Sequence, residues 1–382
     1  MKKLFAMLAV LTLLPAFAVA LTPEKHTCGD FEYILLKDGI AEIVGFMGKS
    51  ADLIIPAEVD GYRVTGIGNM AFYDRQDLTG RLEIPEGVTR VGDAAFYNCP
   101  FTGELRIPNS METLGEGAFS WCYSFNGELK IPENLREIGP DAFRLCIGLE
   151  GRVAIPAGVE SIGEGAFAGC RELTAFTVPK GNKSYKTVKG ILFTADGTVL
   201  LAAPGGKKMN DYVVPDGVKR IGRSAFQYCG GLNGSITFPD SLTEIGANAF
   251  ESCVSLTGQL KLPSGLRVIE GVAFNFCTGF TGKLTIPQGV TSIGWGAFGD
   301  CTGFTGKLTI PDSVTFIDCY AFEGCTGITS AAIPDSVTEI GEYAFGCRYN
   351  GAGYEMIPGF AISCSEGSAA AAYAEENGIT VR

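Results

Sequence analysis

A repeat solenoid, mainly β with short helical or 3-10 turns, is the fold class that this 382-residue sequence predicts. Three observations predict it. One phrase, roughly Leu-x-Ile-Pro-x-x-Val-x-x-Ile-Gly-x-x-Ala-Phe-x-x-Cys, is written about eleven times. Its Phe recurs at Phe72, Phe96, Phe119, Phe143, Phe167, Phe226, Phe250, Phe274, Phe298, Phe322 and Phe345, in steps of 23 or 24 residues with a single gap of 59. The two ends of the chain read differently from the phrase. A fixed period of this size means coils that pack only on their neighbours, with a core that grows along one axis and needs a cap at each end.

The elements follow in order. Residues 1–20 read as a signal peptide: Lys2 and Lys3, an apolar run from Leu4 to Phe17, then Ala18-Val19-Ala20 as an A-x-A cleavage site. That run is too short to span a bilayer, so no membrane span is expected after cleavage. Residues 21–52 form a leader and an N-terminal cap. Within them Phe31 to Phe46 reads as a hairpin turning at Lys37-Asp38-Gly39, because Asp-Gly suits the positive φ of a tight turn.

Residues 53–358 form the solenoid. Each repeat opens with an extended run before Pro, such as Gly103 to Pro108, where Leu105 and Ile107 alternate against Glu104 and Arg106. Pro ends that ladder because it has no N–H. A second strand, such as Val290 to Gly294, leads into the Ala-Phe turn, where small Ala admits a close neighbour and Phe fills the coil. Stacked over the repeats, the eleven Phe residues form a spine. A hairpin insert at about 181–210, turning at Asp196-Gly197, fills the long gap. Residues 359–382 form the C-terminal cap, with a short helix capped by Ser368, stopped at Asn377-Gly378, and a last strand at Ile379 to Val381.

Thirteen cysteines in an exported chain suggest disulfides. Here Cys99, Cys122, Cys146, Cys170, Cys229, Cys253, Cys277, Cys301 and Cys325 each follow the repeat Phe by three residues. Equal phase puts them in one buried ladder of free thiols, one per coil. Cys28, Cys319, Cys347 and Cys364 fall off the ladder and are the disulfide candidates, with Cys319 and Cys347 nearest in phase.

The Ile-Pro, Ile-Gly, Ala-Phe and Cys positions, the Asp196-Gly197 hairpin, the first coil from Ile55-Pro56 to Ile67-Gly68, and the ending Gly367-Ser368 to Asn377-Gly378-Ile379 resemble the BspA-like class of leucine-rich repeat proteins. The resemblance runs from about Phe31 to Arg382. It implies a right-handed superhelix with parallel strand ladders and a bacterial surface or secreted protein, some relatives being adhesins. It implies no catalytic residues. One departure is the extra Gly before the first strand, as at Gly258, Gly282 and Gly306, which predicts a local bulge.

Composition excludes several functions. Net charge is −12, or −14 once Lys2 and Lys3 leave 28 basic against 42 acidic residues, so nucleic acid is not a partner. One histidine, His26, rules out a His triad or multi-His metal site within a chain. Gly294-Trp-Gly296-Ala-Phe-Gly299 matches a dinucleotide fingerprint only by letter, because no βαβ unit surrounds it. No cofactor is implied and no enzyme activity is expected. Glu104 and Glu128 fall on neighbouring coils, about 5 Å apart at strand spacing, but no cleft is foreseeable around them.

Surface remains. Outward positions of the pre-Pro strands form a stripe of Glu104, Arg106, Glu128, Lys130, Arg152, Ser235, Thr237, Gln259, Lys261, Lys283, Thr285, Lys307 and Thr309, of mixed sign early and polar to basic later. Such a face suits an extended extracellular protein or polysaccharide, although solubility alone also calls for polar residues there. The expected function is adhesion or recognition at the cell surface or in secretion. The alternative is a structural envelope component acting by self-association.

Overall fold

The computed structural model describes residues 23–382. The expected signal peptide lies outside them. Three antiparallel strands, Lys25–Cys28, Phe31–Leu35 and Ile40–Phe46, open the fold. The third then pairs in parallel with Tyr62–Ile67, which starts the solenoid.

From there each coil contributes a two-residue rung ending on the Ile of Ile-Gly, or on its Val or Leu replacement. Arg90–Val91, Thr113–Leu114, Glu137–Ile138 and Ser161–Ile162 pair in sequence, all parallel. The glycine after each rung lets coils approach: a Cβ on Gly115 would lie 2.6 Å from the backbone nitrogen of Asp93. The Ala-Phe segment is not the helical or 3-10 turn that the sequence predicts. It is a hydrogen-bonded turn with left-handed residues at recurring positions, such as Ala94 at φ 51° and Asn98 at φ 54°. The reason is a third ladder. Phe96 N–H donates to Ala118 of the next coil at 2.9 Å, and Phe119, Phe143, Phe226, Phe250, Phe274, Phe298 and Phe322 repeat this step. A 3-10 turn would spend those donors within its own coil.

The insert is a second cap rather than a lone hairpin. Tyr185–Val188, Ile191–Thr194 and Val199–Ala202 form three antiparallel strands, the last pairing in parallel with Arg220–Ile221. That is the architecture of the N-terminus, down to a register shift between the second and third strands, at Glu32/Tyr33 and again at Leu192/Phe193. Both sets turn through Asp-Gly. Asp196 is held to about pKa 2, chiefly by hydrogen bonds from Thr194 and Thr198.

The first ladder stops at this point. The last rung gives its Ile162 N–H to the Tyr185 hydroxyl at 2.6 Å. Two hydrophobic cores result, one up to the insert and one beyond it. The eleven-member Phe spine is therefore two stacks. Phe72 to Phe167 stack at 5.1–5.8 Å, and Phe226 to Phe345 at 5.0–5.4 Å. Between them Ala203 takes the place of Phe: its N–H donates to Ala225 as the Phe of the inner coils does to its own Ala partner.

Six further rungs, Arg220–Ile221 to Glu339–Ile340, complete the second ladder. The helix Ala369–Glu376 closes it, with the Ser368 hydroxyl accepting from Ala371 N–H. Phe345 has no further coil to bond, and its N–H is taken by the Tyr373 hydroxyl at 3.0 Å. Thr380–Val381 pairs with Ala361–Ser363 as the final strand.

Two outcomes follow from this packing. Replacing Phe274 by Ala removes a buried ring from the middle of a stack and is expected to cost about 3–5 kcal/mol in denaturant unfolding; a loss under about 1 kcal/mol would show that the stack is not a spine. The internal cap makes the second half self-sufficient. Residues 182–382, with Leu192→Thr and Leu201→Thr to cover the face that the first half buries, should unfold cooperatively on heating. A chain starting at residue 207 should not. Equal behaviour of the two would refute the cap assignment.

Candidate binding face

The pre-Pro runs carry the predicted stripe, but not as one continuous ladder. Gly103–Glu104, Phe125–Glu128, Leu149–Ala154 and Glu172–Thr177 pair in parallel, and the internal cap then interrupts them. Met209–Val213 pairs with Leu232–Thr237. Next come only single bridges, Gly234 to Leu256, Gly258 to Phe280 and Gly282 to Phe304. A sheet resumes at Gly306–Thr309 and Ile328–Ala332. The extra glycine does not distinguish the two halves: Gly103, Gly127 and Gly151 of the continuous ladder adopt φ 75–85°, as Gly258, Gly282 and Gly306 do at 78–83°. It does shift the register locally, between Gly151 and Arg152 and between Gly306 and Lys307. Glu104 lies opposite Asn126, while Glu128 lies opposite Glu150. The expected side-by-side pair of Glu104 and Glu128 is not formed.

The two halves of the stripe differ in electrostatics. In the first, Glu104 is half-buried and bonds Arg106 at 3.1 Å and Lys130 at 3.3 Å, and these two cations hold its carboxyl below its ordinary pKa. This part neutralises itself. Glu128 and Arg152 are exposed beside it. Further along, Ser235 gives both its N–H and its hydroxyl to Asp211. In the second half Gln259 donates to the Lys283 carbonyl at 3.3 Å. Lys261, Lys283 and Lys307 are exposed, as are Thr237, Thr285 and Thr309. None of these three lysines has a carboxylate within 4.0 Å among the described residues. A shallow hollow of about 410 Å³, lined by Gln259, Lys261, Leu262, Thr285, Pro287 and Gln288, opens beside them.

The cysteine positions form the opposite kind of site. All nine ladder thiols are at most 2% exposed. Each donates to a carbonyl on the preceding coil, as Cys122 does to Phe96 at 3.0 Å and Cys277 to Phe250 at 3.1 Å. This bond was not legible in the sequence, where Cys reads only as a small apolar residue. At the internal cap Cys229 reaches Ala203 O at a longer 3.7 Å. The off-ladder candidates form no disulfide, and all thirteen cysteines are thiols. Cys347, expected nearest in phase to Cys319, is buried and bonds the Tyr343 carbonyl instead. No group of three or more His, Cys, Asp or Glu among the described residues could hold a metal. No helix there is long and apolar enough to cross a membrane.

A β solenoid with parallel ladders and little helix has the architecture of a leucine-rich repeat protein. More specifically, the chain belongs to the family of the BspA type leucine rich repeat region, whose model matches residues 65–188, 205–305 and 280–350. Solved structures share the fold. A leucine rich cell surface protein from Faecalibacterium prausnitzii is 24% identical with a TM-score of 0.55, covering 92% of this chain and 97% of that one. The pneumococcal vaccine antigen PcpA is 16% identical with a TM-score of 0.58, covering 94% and 98%. A leucine-rich repeat protein from Eubacterium ventriosum is 19% identical at 0.55, covering 83% and 92%. No curated protein matches the chain.

Burial lifts the ladder thiols: Cys99, Cys170 and Cys229 are pushed up from an ordinary 9.0 to about 12. The others are held well above 9.0 for the same reason. The folded state therefore keeps protons that the unfolded chain releases. Stability from this source is complete below the unfolded value and falls as pH rises toward 12, by about 1.4 kcal/mol per thiol per pH unit. Denaturant unfolding at pH about 8 and about 10 should show a steep loss, made shallower by Cys277→Ala. A slope that Cys277→Ala leaves unchanged would contradict the assignment.

Proposed function

We propose that this protein is exported and acts outside the cell or at its surface by binding an extended extracellular protein or glycan along the pre-Pro strand face, without catalysis. The observation that carries the reading is the contrast between the two halves. In the first half Arg106 and Lys130 are tied to Glu104, leaving only Arg152 of the stripe's cations without a carboxylate, whereas Lys261, Lys283 and Lys307 all stand exposed and unpaired on a chain of net charge −12. Unpaired rim charge complementary to a partner sets encounter rate and specificity. Membership of a family with a cell surface protein and a vaccine antigen among its structural neighbours supports an extracellular setting.

A second reading, a structural envelope component that self-associates, draws support from one feature. Trp295, Tyr320, Tyr343, Tyr349 and Tyr354 cluster with ring centroids 4.4–5.8 Å apart, and Trp295 and Tyr349 are more than half exposed. Exposed aromatic patches of this kind mark association surfaces.

The test is a binding array of host matrix proteins, mucins and glycans, probed with purified residues 21–382 and with a Lys261→Glu/Lys283→Glu/Lys307→Glu variant. Saturable binding that weakens about tenfold or more in the variant is the expected result. Binding untouched by the variant would remove the strand face from the mechanism. Absence of binding, together with concentration-dependent assembly in sedimentation, would favour the envelope reading.

A further inference from the structure

The place where the repeat breaks also makes a cavity. The other coils carry at least two side chains in the three positions after Phe, and seven of the eleven carry three, such as Arg144, Leu145 and Cys146. In the coil of the internal cap the same phase reads Pro204-Gly205-Gly206 after Ala203. This coil lacks the side chains that would fill the surface between its neighbours. A hollow of about 540 Å³ remains, lined by Arg171, Glu172, Gly205, Tyr228, Gly230 and Ser252, among others. Its walls come from both solenoids: Arg171 and Glu172 end the first, and Tyr228, Gly230 and Ser252 belong to the second.

Arg171 is the group that gives the hollow a chemistry. Its guanidinium lies 4.9 Å from the centroid of the Tyr228 ring, across the shortened coil. Arg75, Arg90, Arg220 and Arg223 are each satisfied by a carboxylate. Arg171 has no carboxylate within 4.0 Å among the described residues, although Glu172 adjoins it in sequence. A guanidinium held flat by an aromatic face keeps its N–H fork free and loses little entropy on binding. Such a fork matches the two oxygens of a carboxylate. The rest of the lining selects among anions. Glu172 repels a multiply charged group. Its oxygens, the Ser252 hydroxyl and the glycine backbone are partners for hydroxyls. The Tyr228 hydroxyl is engaged with Glu251 at 3.4 Å, which helps fix the ring beneath Arg171.

We propose that this junction is a binding subsite for a carboxylated sugar, a uronate residue of an acidic polysaccharide, with Arg171 taking the carboxylate and the rim taking ring hydroxyls. It rests on the recognition reading above to the extent that the extracellular ligand is a glycan. It also gives the insert a role: the second cap, by being one coil short of side chains, opens the site.

Calorimetric titration of purified residues 21–382 tests it, with short oligogalacturonates, neutral malto-oligosaccharides of equal length and a phosphorylated malto-oligosaccharide as probes. Oligogalacturonate should bind at least about tenfold more tightly than the neutral and phosphorylated probes, and Arg171→Ala should remove about tenfold or more of that affinity with an unchanged melting temperature. Arg171→Lys should not restore it, because an ammonium cannot present the planar fork. Tyr228→Ala should weaken binding as well. Equal binding of neutral sugars, an Arg171→Ala variant that binds as the parent does, or no uronate binding at all would overturn the proposal. The lysine triple variant separates the two readings. Array binding lost there but kept in Arg171→Ala retains the strand face and sinks the junction, and the reverse pattern does the opposite.

Discussion

The repeat Phe is held from two directions, and the remainder of the fold depends on that arrangement. Its ring stacks on the rings of the coils before and after it. Its N–H reaches forward to the Ala carbonyl of the next coil, and its carbonyl takes the thiol of that coil's Cys. A solenoid has no distant contacts to correct a slip, so its register must be fixed at every step. Stacking is non-directional along the ring plane and tolerates sliding. The two polar contacts do not, because a buried amide or carbonyl without a partner costs more than a bond yields. Ala is required beside Phe so that the acceptor can come within 2.9 Å, and the glycine after the rung strand permits the matching approach on the neighbouring side.

An array built this way must also be ended, since each terminal coil leaves donors that expect a neighbour. The chain uses one device twice. A tyrosine hydroxyl accepts the orphan N–H: Tyr185 for Ile162 at the close of the first ladder, and Tyr373 for Phe345 at the close of the second. Three antiparallel strands start each ladder from the other side. The molecule is thus two capped solenoids in one chain, and their junction is stitched on the surface. Arg220 bonds Glu164 and Glu244, and Arg223 bonds Asp141. Such partly exposed pairs contribute modestly to stability. They add orientation to a junction that already buries Tyr185, Leu192 and Leu201 of the internal cap against the first core.

Much of this was legible in the sequence, for physical reasons. The period, the two strands, the Asp-Gly hairpins and the Ser368 cap depend on local rules, and local rules are written in adjacent residues. What escaped depends on atoms brought together across coils. The Cys thiol bond joins residues such as Cys277 and Phe250, and it is invisible to a reading in which Cys is only small and apolar. Division of the Phe stack was missed because Ala203 stands in the Phe position without resembling it. The Ala-Phe turn was read as helical because its composition suits a helix, and intercoil bonding overrode that preference. For the candidate face, the residue types and their exposure were legible. The pairing of Glu104 with Arg106 and Lys130 was not, because the glycine before each strand moves the register.

The two halves of the face are suited to different work. Where ladders are continuous, between Gly103 and Thr177, cross-strand neighbours are close enough for Glu104 to neutralise its cations, and that surface resembles an ordinary solvated sheet. Between Gly234 and Phe304 the coils touch through single bridges, and Lys261 and Lys283 there, like Lys307 in the sheet that resumes, project without carboxylate partners. Sparse pairing sacrifices some backbone hydrogen bonding for freedom in how the outward side chains are presented. A solenoid can accept that loss because its Phe and Cys positions already fix the stack. Stability and recognition are thereby assigned to different phases of one repeat. Residues facing the core repeat almost without change, and residues facing outward vary freely from coil to coil. Any ligand specificity must therefore reside in positions that the periodic pattern leaves unconstrained, and in the one junction where the pattern itself is broken.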